Sequence, residues 1–120
     1  MDFVPAVTKA LQDYVIFTGR SARSEYWWFA LFNVLSLTVV SVLGALLHDH
    51  GVLYTLGSLA LLVPSLAVAV RRMHDLDRSG WWLLVGFVPL IGTILLLVWF
   101  VTRGTLGPNR FGADPLPEAA

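Results

Sequence analysis

The 120-residue chain contains no cysteine, which excludes disulfides, thiolate nucleophiles and cysteine-based metal centres at once. It has no excess of either charge, since eight Lys and Arg balance eight Asp and Glu. Net charge therefore points to no nucleic-acid partner, and only the local clustering of arginine carries information. Charge is missing altogether from residues 27–47, 52–70 and 81–102. A helix in a soluble core needs a polar face to meet water, and these three segments lack one. With 57% hydrophobic and 13% charged residues, an ordinary soluble domain of this size is excluded as well. There is no internal repeat or low-complexity tract, and the start, Met1-Asp2-Phe3-Val4-Pro5, lacks the basic-then-apolar pattern of a cleavable leader.

What is present is a chain divided between two solvents. Arg71-Arg72-Met73-His74-Asp75-Leu76-Asp77-Arg78-Ser79-Gly80 carries five charges and a histidine between two uncharged runs. As helices, residues 27–47 would measure about 31 Å and residues 52–70 about 28 Å, against a hydrocarbon core of about 30 Å. Pro64 should kink the second run, because it removes a backbone donor and crowds the preceding turn. The third run, residues 81–102, is interrupted by Pro89 and Gly92. Its length favours a full third span. The alternative is a re-entrant segment turning at residues 89–92, which would keep Arg103 and Arg110 on the side of the other arginines.

Ahead of these runs, Val4, Val7, Leu11, Tyr14 and Val15 recur at three- and four-residue intervals. Residues 5–17 thus predict a short amphipathic helix, either lying on the membrane surface or packed on the protein itself. The expected fold is all-α: a polytopic membrane protein with three membrane segments, the third possibly re-entrant, and an N-terminal amphipathic interfacial helix. The whole, residues 1–120 with a tail from 103, reads as one domain.

Orientation follows from arginine and lysine. Residues 1–26 carry Lys9, Arg20 and Arg23, and the 71–80 segment carries Arg71, Arg72 and Arg78, whereas the turn at 48–51 carries neither Lys nor Arg. The N-terminus and the arginine-rich segment are thus expected on the cytoplasmic side. Trp27, Trp28, Trp81 and Trp82 border these arginines and read as interfacial anchors at that same face.

Three stretches carry a family resemblance. Phe17-Thr18-Gly19-Arg20-Ser21-Ala22-Arg23-Ser24-Glu25-Tyr26-Trp27-Trp28-Phe29 resembles the opening motif of the DUF805 bacterial inner-membrane proteins. The 71–80 segment with Trp81-Trp82 is similar to that family's central loop, and Gly107-Pro108-Asn109-Arg110-Phe111-Gly112-Ala113-Asp114-Pro115 to its C-terminal signature. Asp77 stands where members commonly have glycine, which speaks against a tight glycine turn there. The resemblance implies a small multi-pass protein of the bacterial cytoplasmic membrane. It implies no activity and no catalytic residue.

The chemistry-bearing residues fall into two sets. Arg20, Arg23, Arg71, Arg72 and Arg78 are candidates for binding anionic headgroups or a protein partner, since the guanidinium fork suits phosphate. Glu25, His74, Asp75, Asp77 and Ser79 form a complementary polar network. In it Arg72 pairs with Asp75 at i,i+3, His74 pairs with Asp77 or Arg78, and Glu25 ties the first and third segments together. Ser21 and Ser79 are candidate N-caps.

No metal or cofactor is expected. Asp75 to Gly80 matches half of an EF-hand loop, but the twelfth position falls on Gly86. The clusters His74, Asp75, Asp77 and His48, Asp49, His50 are short, and arginines would repel a cation from the first. The alternatives from other classes are a membrane-interface hydrolase or transferase using His74 and Asp75, and a pore or transporter subunit. Asn33, Ser36, Thr38, Ser41 and Ser65 are among the polar groups within the spans, and none of the spans carries a charge, which argues against an autonomous transporter. Small residues at i,i+4, Ser41 with Ala45 and Ser65 with Ala69, suit close helix packing, self-association or a larger membrane partner.

Overall fold

A computed structural model describes residues 2–115, all helical in their regular parts. Helix α1 (Phe3–Gln12) is followed by two long helices, α2 (Arg23–Leu46) and α3 (Val52–Asp75). A 3-10 helix, Gly80–Phe87, and helix α4 (Ile91–Val101) complete the set. The end of the tail, residues 116–120, lies outside the described residues.

Helices α2 and α3 are each long and apolar enough to cross a membrane, at 24 residues or about 36 Å apiece. They form an antiparallel pair closed by residues 48–51. Gly57 brings α3 against Leu37 and Val40 of α2, and Ser65 donates to Asn33 Oδ1 across the pair at 3.2 Å. Helix α3 runs through Pro64 without a break.

Both long helices end in the same way. At α2, the Asp49 N–H donates to the Gly44 carbonyl and the His48 N–H to Ala45, with His48 at φ 53°. At α3, the Arg78 N–H donates to Met73 and the Asp77 N–H to His74, with Asp77 at φ 59°. Each is a Schellman ending, whose left-handed residue is most often glycine. The tight turn at Asp77 is therefore present after all. Aspartate tolerates the left-handed region better than most side chains.

Residues 81–102 do not form one continuous helix. The 3-10 helix closes with Val88 N–H on the Val85 carbonyl. Ile91 N–H then bonds the Pro89 carbonyl at 2.7 Å around Leu90, at φ 66° and ψ −62°, a γ-turn. Gly92 makes the reversal possible, because a Cβ there would overlap the Val85 carbonyl oxygen. Each arm is about 16 Å long, half of the hydrocarbon thickness. Counting apolar residues favoured a full span; Pro89, Leu90 and Gly92 reverse the chain instead. Residue 102 thus returns to the end of α3 from which residue 80 departed.

Helix α1 also differs from expectation. It stops at Gln12 rather than 17, and it packs through Ala6 and Ala10 with Val7 as the one buried member of the expected apolar stripe. Val7 and Ala10 join Phe29 and Val68 in a small core cluster, with Phe3 packed against it and set edge-on to Trp28. Small side chains allow the helix to lie close to α2 and α3. Val4, Leu11, Tyr14 and Val15 are left exposed.

Candidate functional site

The largest fully buried side chains in the described protein are not leucines but Arg71 and Arg72. Buried guanidinium groups are stable only when nearly every N–H finds an acceptor. Here each buried arginine is held by a different returning segment of chain, with Arg72 Nε the one donor of the three that finds no acceptor among the described residues.

Arg71, 2% exposed, collects the N-terminal segment. Its Nε donates to Ser21 Oγ at 2.8 Å, one Nη to the carbonyls of Asp13 and Ile16 at 2.8 and 2.7 Å, and the other to Glu25 Oε2 at 2.8 Å. Lys9 Nζ meets the second Glu25 oxygen at 3.0 Å. Ser21 is therefore an acceptor for Arg71 and not the cap of α2, a position held by Ala22.

Arg72, fully buried, collects the end of α4. It pairs with Asp75 Oδ2 and donates to the carbonyls of Trp99 and Thr102. The last four carbonyls of a helix lack intrahelical partners. Here Trp27 Nε1 takes Phe100 at 2.9 Å and Arg23 takes Val101 at 2.9 Å, which leaves none of residues 99–102 without a donor. Donors from α2 and α3 together cap α4, and their positive charge suits its C-terminal dipole.

Arg20 collects the tail. It holds Asp75 Oδ1 through Nε at 3.0 Å and donates to the carbonyls of Thr105 and Gly107 at 2.6 and 2.7 Å, with Gly112 at 3.3 Å. The tail closes on itself through paired bonds between Asn109 and Gly112. Asp114 accepts from the Gly107 N–H and from Arg103, each at 3.0 Å. Asn109 Nδ2 donates to the His74 carbonyl at 2.9 Å, and Phe111 stacks on the His74 ring at 4.0 Å. Gly104 passes so close to Asp75 that a Cβ would overlap its carboxylate.

His74 sits beyond the apolar stretch of α3, which ends at Val70. Its Nδ1 lies 2.9 Å from the Gly19 carbonyl; a carbonyl only accepts, so Nδ1 carries the hydrogen. The expected His74 pairing with Asp77 or Arg78 is not among its hydrogen bonds; Gly19 and the tail occupy it. Asp77 instead meets Arg110 at 3.3 Å on the surface. Ser79 stands at the start of the 3-10 helix without a side-chain capping bond.

Arg23 and Arg78 differ from the three hubs. Arg23 is exposed and spends one Nη on Val101. Arg78 lies over the Trp99 ring, 4.5 Å from its centroid, and its buried Nε has no acceptor. Neither has a carboxylate partner among the described residues. Trp82 meets the same Trp99 edge-on, so Trp27 and Trp82 both touch the end of α4, while Trp81 is exposed.

Chemically, Asp75 has both oxygens committed to arginines and is poorly placed to act as a general base. Among the described residues, no group of three or more His, Asp or Glu side chains is placed to hold a metal ion. The sequence did not disclose the carbonyl targets of the arginines, nor the roles of Gly104, Asn109 and Asp114. For Asn109 and Asp114 the only signal was membership of the C-terminal stretch of the family resemblance, and Gly104 lies outside that stretch.

Comparison with known proteins agrees with the motifs. The family model described as "Protein of unknown function (DUF805)" matches residues 14–113. The chain is 48% identical over 106 residues to the inner membrane protein YhaI of Escherichia coli strain K12, covering 88% of this chain and 90% of that protein. It is 41% identical over 115 residues to the inner membrane protein YhaH of the same strain, covering 92% and 95%. To the uncharacterized protein YiiR it is 32% identical, covering 82% and 84%. No solved structure matches it. The chain belongs to the DUF805 family.

Proposed function

We propose that this protein is a non-enzymatic module of the bacterial cytoplasmic membrane, in which α2 and α3 cross the bilayer. The N-terminus, the end of α3 and residues 102–115 face the cytoplasm. The 3-10 helix and α4 enter the cytoplasmic leaflet and leave by the same face. The positions of the arginines support this orientation, and the names of the related inner membrane proteins support the membrane location. The buried arginine network organises the entry and exit of every segment at that face.

The observation that carries the reading is the division among five arginines. Arg20, Arg71 and Arg72 are turned onto internal carboxylates and carbonyls, whereas neither Arg23 nor Arg78 has a carboxylate partner among the described residues. Those two sit beside Trp27, Trp82 and Trp99, side chains suited to the headgroup layer, and they contact anionic lipid phosphate. The purified protein titrated with phosphatidylglycerol tests this. Each of Arg23→Ala and Arg78→Ala is expected to weaken binding by about fivefold at low salt, the equivalent of about 1 kcal/mol per surface arginine, and to flatten its salt dependence. Unchanged affinity in the double variant would overturn the lipid contact.

A further inference from the structure

The two halves of this molecule have very different cross-sections. Toward the arginine face, α1, α2, α3, the 3-10 helix and α4 lie side by side. Gly80 packs against Val70, and Leu83 and Leu84 share a cleft with Leu66 and Val70, so the 3-10 helix climbs along α3 from its cytoplasmic end. After eight residues the chain reverses, and α4 descends to meet Trp27 and Arg72. Beyond the tip at residues 88–90 only α2 and α3 continue toward the turn at 48–51. Helix α1 adds to the same half, since it packs beside Phe29 and Val68.

We infer that the protein is a wedge that partitions by membrane curvature, favouring bilayers whose cytoplasmic leaflet is on the convex side. This rests on the topology proposed above. Each helical element displaces a cylinder about 10–12 Å across, and three of the five do so in one leaflet alone. The exposed apolar side chains fit lipid at that depth: Trp81, Phe87, Leu90 and Ile91 on the hairpin, and Val4, Leu11 and Val15 on the N-terminal segment. Apolar surface inserted into one leaflet binds best where that leaflet is stretched, and convex curvature stretches it. The partner assigned here is therefore a strongly bent lipid surface.

The absence of native cysteine makes the test clean, because one introduced thiol reports one position. Variants Thr18→Cys, Leu106→Cys and His50→Cys, all at exposed sites, are reconstituted into phosphatidylcholine vesicles, either small and sonicated or large and extruded. The outward-facing fraction is read with a membrane-impermeant maleimide before and after detergent. In small vesicles the outward fraction at positions 18 and 106 is expected to rise together, with the outward-to-inward ratio up about twofold or more, while that at 50 falls. Equal ratios in both vesicle sizes, with 18 and 106 still labelling alike, would overturn the wedge and leave the topology standing. Opposite labelling at 18 and 106 would overturn the topology and the wedge together.

Discussion

The two ends of the α2–α3 pair solve the same problem by opposite means. At residues 48–51 a single side chain suffices. Asp49 accepts from the Gly51 and Leu53 N–H groups, each at 2.9 Å, and so caps α3 from within a few residues. Gly44 leaves room for that carboxylate. At the other end, Arg20 and Arg71 reach across 46 to 92 residues of sequence to Glu25, Asp13, Thr105 and Gly112, and Arg72 reaches across 27 and 30 to Trp99 and Thr102. One end is a local turn. The other is a junction where four chain segments meet, and it holds nearly all of the buried charge.

The difference teaches where stability is concentrated. Removing one partner from a buried ion pair strands the other, which costs about 3–5 kcal/mol. Arg72→Ala is therefore expected to have the largest effect, because it uncovers Asp75 and the α4 carbonyls together. Loss of the folded fraction in detergent, by thermal unfolding, checks this; a shift no larger than that of a surface variant would contradict it. Arg72→Lys is expected to rescue only part, since a lysine cannot span three acceptors in one plane.

Next in size is Gly92→Val, which forces the 3-10 helix and α4 apart at the Val85 carbonyl, an overpacking cost of about 1–3 kcal/mol. Its signature is increased protease access at residues 88–91, with the turn at 48–51 unaffected. Asp49→Ala removes a cap worth about 0.5–2 kcal/mol and should loosen only the opposite end, seen as faster amide exchange at residues 51–53. Arg110→Ala is the smallest. Its pairing with Asp77 leaves the two side chains 61% and 47% exposed, and exposed pairs contribute about 0–1 kcal/mol. A large loss there would blur the distinction between buried hubs and surface pairs.

Local chemistry was legible in the sequence, and distant chemistry was not. Two apolar helices and the Arg72–Asp75 pair at i,i+3 follow from spacing and charge, whereas Glu25, expected to tie the first and third segments, joins the first to the second through Arg71. The carbonyl acceptors follow from neither, because every residue carries one and nothing in a side-chain pattern marks which will be left at a helix end. The hairpin was legible only as the alternative to a full span, for a related reason. Hydropathy treats residues 81–102 as one apolar length, while the reversal depends on backbone details at Pro89, Leu90 and Gly92. Helix α1 was legible as a helix but not in its packing face, since alanines at 6 and 10 weigh little in an apolar stripe yet permit the closest approach.

The central claim is that the chain after residue 88 returns to the face bearing Arg20, Arg71 and Arg72. Single-cysteine labelling in intact cells and in cells with opened outer membranes addresses it directly. His50→Cys is expected to react with an impermeant maleimide from outside. Thr18→Cys and Leu106→Cys are expected to react only after the cytoplasmic membrane is breached. Labelling of Leu106→Cys from outside, with Thr18→Cys still protected, would mean that residues 81–102 cross the bilayer and would contradict the account.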